Sequence, residues 1–292
     1  MAQGTSQGTQ RTRRLPTVAI VGAGRVGSAI GLALRRSGYP ITAAWSRSRA
    51  GRQRVQNLLD APVLEPLDAA AAGEVVFVTV PDDAIVDMAE RISAGLRRGA
   101  LVLHTSGGTS IEALAAARDA GARIGSLHPL QTIPDAERGA DALIGSAVAV
   151  TADGSHTAAI MRLARAWGGR PFPLADDAKA IYHAAAVFAS NYVVSSVWAA
   201  TTLFRSIGIR NGAELLAPLV QASVSNVLGR GGPKAITGPV VRGDADVVKR
   251  HVKALREMDP TGRAVTDAYR YFARMTAALA NVDPKAIEKA TA

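Results

Sequence analysis

The sequence predicts an α/β protein in which a doubly wound sheet comes first and an all-helical C-terminal domain follows. Over the first part of the chain, short β-branched apolar runs alternate with helical patterns, as in repeated strand–helix units. After about Leu174 this alternation stops, and residues 179–207 form a long alanine-rich stretch without proline or glycine. We therefore expect a disordered polar tail over 1–14, a sheet domain over 15–174 and a helical domain over 175–292.

The composition narrows the classes of function. The 292 residues are enough for two domains, and the absence of cysteine excludes disulfides, thiolate metal sites and cysteine nucleophiles. The net charge of +10 would suit nucleic acid, but the basic residues are scattered and aromatic residues make up only 4%. We expect no nucleic-acid partner and no metal. We interpret the charge as attraction for anionic small molecules plus a basic tail that contains Arg11, Arg13 and Arg14.

Neither an export signal nor a membrane segment is predicted. The tail arginines precede an apolar run, but Gly22, Gly24 and Arg25 interrupt that run, which is better explained as a first strand. No segment offers about 18 uninterrupted apolar residues. The expected location is the cytoplasm, without a membrane partner.

The first strand–helix unit carries a dinucleotide-binding pattern. An apolar run over 17–21 is followed by Gly22, Gly24 and Gly27, spaced G-x-G-x-x-G, and then by a helical pattern. The first glycine permits a tight turn, the second lets the backbone approach a pyrophosphate, and the third lets the helix lie close to the strand. The alternative is an ordinary glycine-rich turn. The predicted cofactor contacts here are Gly22, Gly24, Arg25, Val26 and Gly27.

The end of the second strand indicates which cofactor is bound. In NAD-binding units an acidic residue near this point holds the ribose diol, whereas the 2′-phosphate of NADP needs cations. After the predicted strand Ile41–Trp45 the chain instead continues with Ser46, Arg47, Ser48 and Arg49. We therefore predict NADP, with Arg47 as the main contact of the phosphate and Ser46 beside it; the alternative is a solvated basic turn.

Polar residues follow the next strand. The apolar run 75–80 ends at Pro81, so Val80 and Pro81 are expected to line the dinucleotide groove. Asp82 and Asp83 come directly afterwards and allow an acid–base interpretation. Capping of the following helix is the preferred interpretation, because acids are favoured at helix N-termini.

Two further strand ends supply substrate-site candidates. A strand beginning at Leu101 leads into Ser106 and Gly107, whose hydroxyl and amide can bind a substrate carboxylate, although the segment can also serve only as a turn or helix cap. His128 follows the strand that begins at Arg123, and it is either a site residue or a structural hydrogen-bond donor.

The long helical stretch supplies a candidate proton donor. Lys179 and His183 share one helix face and can protonate a carbonyl oxygen as hydride arrives; alternatively, the lysine is solvated and the histidine only packs. Asn191 lies close to that face and can hold the substrate. Further on, Arg242 either clamps a substrate carboxylate or simply pairs with Asp244.

The order of these pieces resembles the DUF2520-type family, which joins a Rossmann-like domain to a helical C-terminal domain. This family is related to ketopantoate reductase, pyrroline-5-carboxylate reductase and 6-phosphogluconate dehydrogenase-like proteins. The resemblance rests on residues 22–27, 79–83, 104–107, 126–131, 182–186, 190–192 and 237–244.

The resemblance implies hydride transfer from NADPH to a small carbonyl or imine acid, in a dimer joined through the helical domains. The function expected first is reduction of a 2-keto acid, with ketopantoate as the substrate. The alternatives are a pyrroline-5-carboxylate-type imine reductase and a non-catalytic NADP-binding sensor. Related hydroxyacid dehydrogenases have an asparagine four residues after the lysine. Here His183 takes that place, so the proton donor is left open between Lys179 and His183.

Overall fold

The computed structural model describes residues 14–258 and 261–291. The predicted disordered tail lies outside these ranges except for Arg14. The chain forms two compact units, the first ending at Ser190 and the second beginning at Asn191.

The first unit contains a seven-stranded sheet of order β2-β1-β3-β4-β5-β6-β7. Neighbouring strands are parallel, except that β6 runs antiparallel to β5. The strand order reverses between β1 and β3, and in open sheets ligands bind beyond the carboxyl ends of the strands at such a point. The strands are β1 (Val18–Val21), β2 (Ile41–Trp45), β3 (Val75–Val78), β4 (Leu101–His104), β5 (Arg123–Pro129), β6 (Ala147–Ala152) and β7 (Arg170–Pro173).

Helices cover the sheet, and the sequence predicted the ones that follow the glycine-rich turn and Asp83 and the one that begins at Lys179. The segment Ala136–Ala142 was not predicted; Asp135 caps it by accepting a hydrogen bond from the Arg138 N–H. This segment has the sequence AERGADA, which contains no large apolar residue, so the sequence shows no hydrophobic period typical of a helix. The helices of this unit are α1 (Arg25–Arg36), α2 (Arg49–Arg54), α3 (Pro66–Ala71), α4 (Ile85–Ser93), α5 (Ala115–Asp119), α6 (Ala136–Ala142), α7 (Thr157–Ala166) and α8 (Lys179–Ala189).

The central strands are buried on both faces. Every residue of β1 and β3 is buried, as the continuous apolar runs predict for a sheet covered by helices. Alternate residues enter two separate cores, with Ile20 and Phe77 on one side of the sheet and Val21 and Val76 on the other. The sheet is thus a packed platform, and polar chemistry is confined to its two edges.

The alanine-rich stretch 179–207 contains two helices rather than one. Ser190, with φ −122° and ψ −72°, separates α8 from the next helix. Serine offers the backbone local alternatives to the helix, and this break has no proline or glycine to reveal it. Asp176, just before α8, accepts hydrogen bonds from the Ser110 hydroxyl and the Ile111 N–H, which holds α8 to the sheet unit.

The second unit is helical throughout its described residues, as predicted. Val248, Ala277 and Ile287 form the centre of its small core. Among the described residues, the stretch Asp176–Ser206 is long and apolar enough to cross a membrane by length and composition alone, which by itself is weak evidence. The helices are α9 (Asn191–Ser206), α10 (Gly212–Arg230), α11 (Gly232–Ala235), α12 (Ala245–Arg256), α13 (Thr261–Leu279) and α14 (Pro284–Thr291).

Candidate active site at the carboxyl edge of the sheet

The glycine-rich turn lies at the point where the strand order reverses. Gly22 has φ +111°, and a Cβ there would lie 2.8 Å from the carbonyl carbon of Thr79. The Thr79 hydroxyl donates to the Gly22 carbonyl at 2.7 Å, which ties the end of β1 to the end of β3. Gly24 precedes α1 and no side chain caps this helix. The uncapped amides of α1, which begins at Arg25, fit a pyrophosphate.

The end of β2 is basic and its backbone is held in place. The Arg52 guanidinium donates to the carbonyls of Ser46 at 3.4 Å and Arg47 at 3.3 Å. The Ser46 side chain is buried, whereas the exposed Arg47 guanidinium has no hydrogen bond or ion pair within residues 14–258 and 261–291. Residues 46–54 contain four arginines and no carboxylate. This composition fits a 2′-phosphate better than a ribose diol.

A carboxylate joins the ends of β3 and β4. Asp82 accepts hydrogen bonds from the hydroxyls of Ser106 at 2.6 Å and Thr109 at 3.3 Å. The Ser106 oxygen in turn accepts from the N–H groups of Thr109 at 3.0 Å and Gly108 at 3.3 Å. The prediction that Asp82 caps the next helix is wrong, because the turn Asp82–Ala84 has no side-chain cap. The Ser106 hydroxyl is thus fully engaged within the protein.

Lys179 is the one charged side chain among the buried residues of the described chain, with only 2% exposed. Its Nζ donates to the Ser126 hydroxyl at 2.8 Å and to the Ser106 carbonyl at 3.2 Å. Burial lowers the pKa of Lys179 to about 8, opposed by the charges of Asp176 and Asp82. The alternative of a solvated lysine is therefore excluded. The lysine links the ends of β4 and β5 and keeps its proton at neutral pH.

Two imidazoles and a phenol form the adjoining cluster. His128 Nδ1 hydrogen-bonds the Tyr182 hydroxyl at 2.7 Å, and the His183 ring lies edge-on to His128 with 6.0 Å between centroids. Both imidazoles pack over Gly107, where a Cβ would lie 2.7 Å from His183 Nδ1 and 2.9 Å from His128 Nε2. His183 Nδ1 is buried and has no partner within the described part of the chain.

His128 and Tyr182 are neutral at physiological pH. Burial lowers the pKa of His128 to about 4, and the nearby His183 and Lys179 act in the same direction. Burial raises the pKa of Tyr182 to about 12, so the phenol keeps its proton. Tyr182 was missed in the sequence, although its spacing of three residues from Lys179 places it on the same helix face.

His104, at the end of β4, is a further buried imidazole. Its Nδ1 accepts the Ser106 N–H at 3.2 Å, while its Nε2 is buried without a partner in the described residues. Burial, together with the charge of Lys179, lowers its pKa to about 4. Through this hydrogen bond the neutral His104 ring fixes the backbone at Ser106, directly before Gly107.

Two predicted substrate contacts belong to the second unit. Asn191 is exposed at the start of α9. Arg242 Nε donates to the Asp244 carboxylate at 3.0 Å, the pairing expected as the alternative to a substrate contact. The substrate roles of both residues stay predictions.

A glycine-rich turn at the reversal point of a doubly wound sheet, followed by a helical unit, defines the dinucleotide-binding α/β class of proteins. Residues 1–129 match the family model described as Rossmann-like domain, and residues 146–276 match the one described as domain of unknown function DUF2520. The chain thus carries a Rossmann-like domain followed by a DUF2520 domain, which confirms the resemblance seen in its motifs.

Individual relatives are more distant. A glycerol-3-phosphate dehydrogenase [NAD(P)+] from Pseudoalteromonas translucida is 32% identical over 105 residues, which span 31% of each chain. A Bacteroides fragilis protein provisionally described as an NADP oxidoreductase superposes with a TM-score of 0.77 at 22% identity, covering 90% of this chain and 98% of that one. The imine reductase of Myxococcus stipitatus, solved with NADP+, gives 0.61 at 21% identity, covering 94% and 95%. These structural likenesses establish the fold.

Proposed function

We propose that this protein is an NADPH-dependent oxidoreductase that reduces a small 2-keto acid, with ketopantoate as the best single substrate. The observation that carries the proposal is the buried, protonated Lys179 beside the His128–Tyr182 pair, at the sheet edge that also holds the glycine-rich turn. The NAD(P)-dependent enzymes among the relatives support the same class of reaction.

The cofactor would be held by backbone groups and one cation. The turn 22–27 and the uncapped start of α1 bind the pyrophosphate, Val80 and Pro81 line the groove, and Arg47 pairs with the 2′-phosphate. When bound, NADPH supplies the hydride. The protein's own task is then to orient the carbonyl and deliver a proton to its oxygen.

Lys179 is the proposed proton source. Its pKa of about 8 keeps it protonated at neutral pH and close to the pH at which proton transfer is efficient. We assign the Tyr182 phenol as the donor to His128 Nδ1, which places the histidine proton on Nε2, beside Gly107. This N–H and His183 Nδ1, which has no partner in the described residues, would orient the substrate, whose carboxylate is assigned to the Gly107 amide.

The direct test is NADPH oxidation, followed by absorbance, with ketopantoate and a panel of keto acids and cyclic imines. We expect turnover with a keto acid and a loss of at least about 100-fold in kcat for Lys179→Met, the usual contribution of a positioned acid. Lys253→Met, an exposed lysine on α12, is the control and should keep activity. Tight NADPH binding without oxidation of any substrate would contradict the proposal and support a non-catalytic sensor.

Imine reduction is the second candidate, favoured by the likeness to an imine reductase. An iminium already carries its proton and needs no lysine donor. Lys179→Met should therefore spare imine turnover while removing keto-acid turnover. Equal losses with both substrates would assign Lys179 a positioning role through Ser126 and Ser106 instead.

We also propose a homodimer joined through the helical domain, in the cytoplasm and without a membrane or nucleic-acid partner. Large exposed apolar side chains on α8 to α10 support the dimer, among them Ile181, Val194, Trp198, Leu219 and Leu228. Light scattering on the purified chain tests the dimer. Flotation with lipid vesicles tests the membrane alternative that the Asp176–Ser206 stretch raises.

A further inference from the structure

A cavity of about 580 Å³ opens at the opposite edge of the sheet from the glycine-rich turn. Its walls come from residues at or just before the starts of β1, β2, β3, β4 and β5, and from one face of α7. Parallel strands all begin at the same edge, so the starts of these five strands lie side by side. The charged lining residues are Arg14, Glu74, Arg97, Arg98, Arg123 and Arg162.

The cavity is strongly positive, with five guanidinium groups against one carboxylate. That carboxylate, Glu74, is already bonded within the protein. It accepts hydrogen bonds from the Thr17 N–H at 2.9 Å and from Arg14 at 2.7 Å. The first of these bonds is the main cause that lowers the pKa of Glu74, and the charge of Arg14 adds to it. The other four arginines have no ion pair within the described residues.

Two of these four guanidinium groups are oriented by backbone carbonyls. Arg97 Nε donates to the Ala71 carbonyl at 2.8 Å, and Arg123 donates twice to the Gly99 carbonyl, at 2.8 and 3.0 Å. Arg98 and Arg162 have no hydrogen bond or ion pair within residues 14–258 and 261–291. The cavity therefore combines two fixed cations with two that are free to close on a ligand.

The ligand class follows from charge and size. Guanidinium groups match phosphate oxygens in paired hydrogen bonds, and a volume of 580 Å³ is in the range of small-molecule sites. A monocarboxylate would leave most of the positive charge uncompensated. A chain of two or three phosphates balances it and can reach several arginines at once.

We propose that this amino-edge cavity binds a small polyphosphate anion, independently of the dinucleotide site. A four-residue strand is about 13 Å long, so a ligand here does not touch a cofactor at the glycine-rich turn. The proposal does not rest on the reductase activity.

The test is calorimetric titration of the full chain with inorganic tripolyphosphate at low salt. We expect saturable binding of one anion per chain, weakened at least tenfold by Arg98→Glu and by Arg162→Glu. Arg165→Glu is the matched control, because Arg165 is exposed on α7 one turn after Arg162 and does not line the cavity. It should change the affinity less than twofold, and so should Arg47→Glu at the cofactor site.

Several results would overturn the proposal. These are the absence of saturable binding by the unaltered chain, equal losses for Arg162→Glu and Arg165→Glu, and loss of binding in Arg47→Glu. Affinity that grows with the length of duplex DNA without a defined stoichiometry would indicate a general basic surface instead. Competition by ATP at similar affinity would support recognition of the phosphate chain itself.

Thermal unfolding of each variant checks the fold. Where Arg162→Glu unfolds, Arg162→Gln replaces it, with an expected several-fold loss of affinity for tripolyphosphate.

Discussion

The two edges of the sheet use charge in opposite ways. At the carboxyl edge the polar side chains are bonded to one another, as in the pair of Asp82 with the buried Ser106, and Lys179 is only 2% exposed. At the amino edge the charges are exposed, and Arg98 and Arg162 have no partner in the described residues. Buried groups acquire fixed positions and shifted pKa values, whereas exposed cations give attraction without fixed geometry. The first arrangement suits chemistry on a bound substrate, and the second suits electrostatic binding.

The largest effect is expected from Gly107→Ala, which should lower the activity at the carboxyl edge and leave anion binding at the amino edge unchanged. The added methyl would lie 2.7 Å from His183 Nδ1 and 2.9 Å from His128 Nε2, so both imidazoles must move. Because small displacements of catalytic groups are costly, we expect kcat to fall by about 100-fold or more. Tripolyphosphate binding at the amino edge should change less than twofold.

The control for that variant is Gly229→Ala, where a Cβ meets no atom within 4 Å. It should leave both measurements unchanged. Activity of Gly107→Ala within threefold of the unaltered protein would show that the imidazoles are not held in a working position.

The buried lysine predicts an unusual dependence of stability on pH. In the unfolded chain Lys179 keeps its proton up to its usual pKa of 10.5, whereas in the folded protein it loses the proton at about 8. Between these values the unfolded state binds more protons, so the free energy of unfolding rises with pH, by up to about 3 kcal/mol. The full penalty of burying the charge is present below pH 8.

Urea unfolding at pH 7 and pH 10 measures this difference. Lys179→Met should lose the rise, while Lys253→Met, an exposed lysine, should keep it. Parallel curves for Lys179→Met and the unaltered chain would contradict the burial of a charged lysine.

The sequence predicts the carboxyl edge far better than the amino edge. Apolar runs bounded by glycine and proline mark each strand, so the strand ends that lead to His128 and Gly107 can be located without a structure. The bond between Asp82 and Ser106 spans 24 positions and needs the knowledge that β3 and β4 are neighbours. The role of Tyr182 depends on its hydrogen bond to His128, which lies 54 positions earlier and is brought close only by the fold.

The amino-edge cavity could not have been predicted in this way. Its arginines occur between residues 14 and 162, and in the sequence they look like part of a scattered positive charge. Only the common starting edge of the parallel strands brings them together. Similarly, nothing in the composition of 179–207 reveals the break at Ser190, because serine is common inside helices as well as at their ends.

Arg47→Glu tests an exposed cation assigned to the carboxyl edge. If Arg47 pairs with the 2′-phosphate, NADPH affinity should fall about tenfold or more, while NADH affinity changes less than threefold. Titration of both cofactors by fluorescence measures this difference. Arg165→Glu is the charge-matched control, and equal losses for the two cofactors would contradict pairing of Arg47 with the 2′-phosphate.

The smallest effect on turnover is expected from Ser126→Ala, which removes one of the two hydrogen bonds of the Lys179 ammonium. The remaining bond to the Ser106 carbonyl keeps the lysine in place, so we expect a loss of about 2 kcal/mol in stability. The charged lysine is stabilised less, so its pKa should fall further, and the decline of keto-acid turnover at high pH should begin at a lower pH than in the unaltered protein.

Ser146→Ala is the matched control for this shift, because Ser146 is also a buried serine and its hydroxyl donates to the Leu143 carbonyl at 2.8 Å. It should lower the stability without moving the pH profile. A shift of the profile in Ser126→Ala alone would show that the carboxyl edge tunes the proton affinity of Lys179 through the Ser126 hydroxyl. An unmoved profile in both variants would restrict Ser126 to holding the strands together.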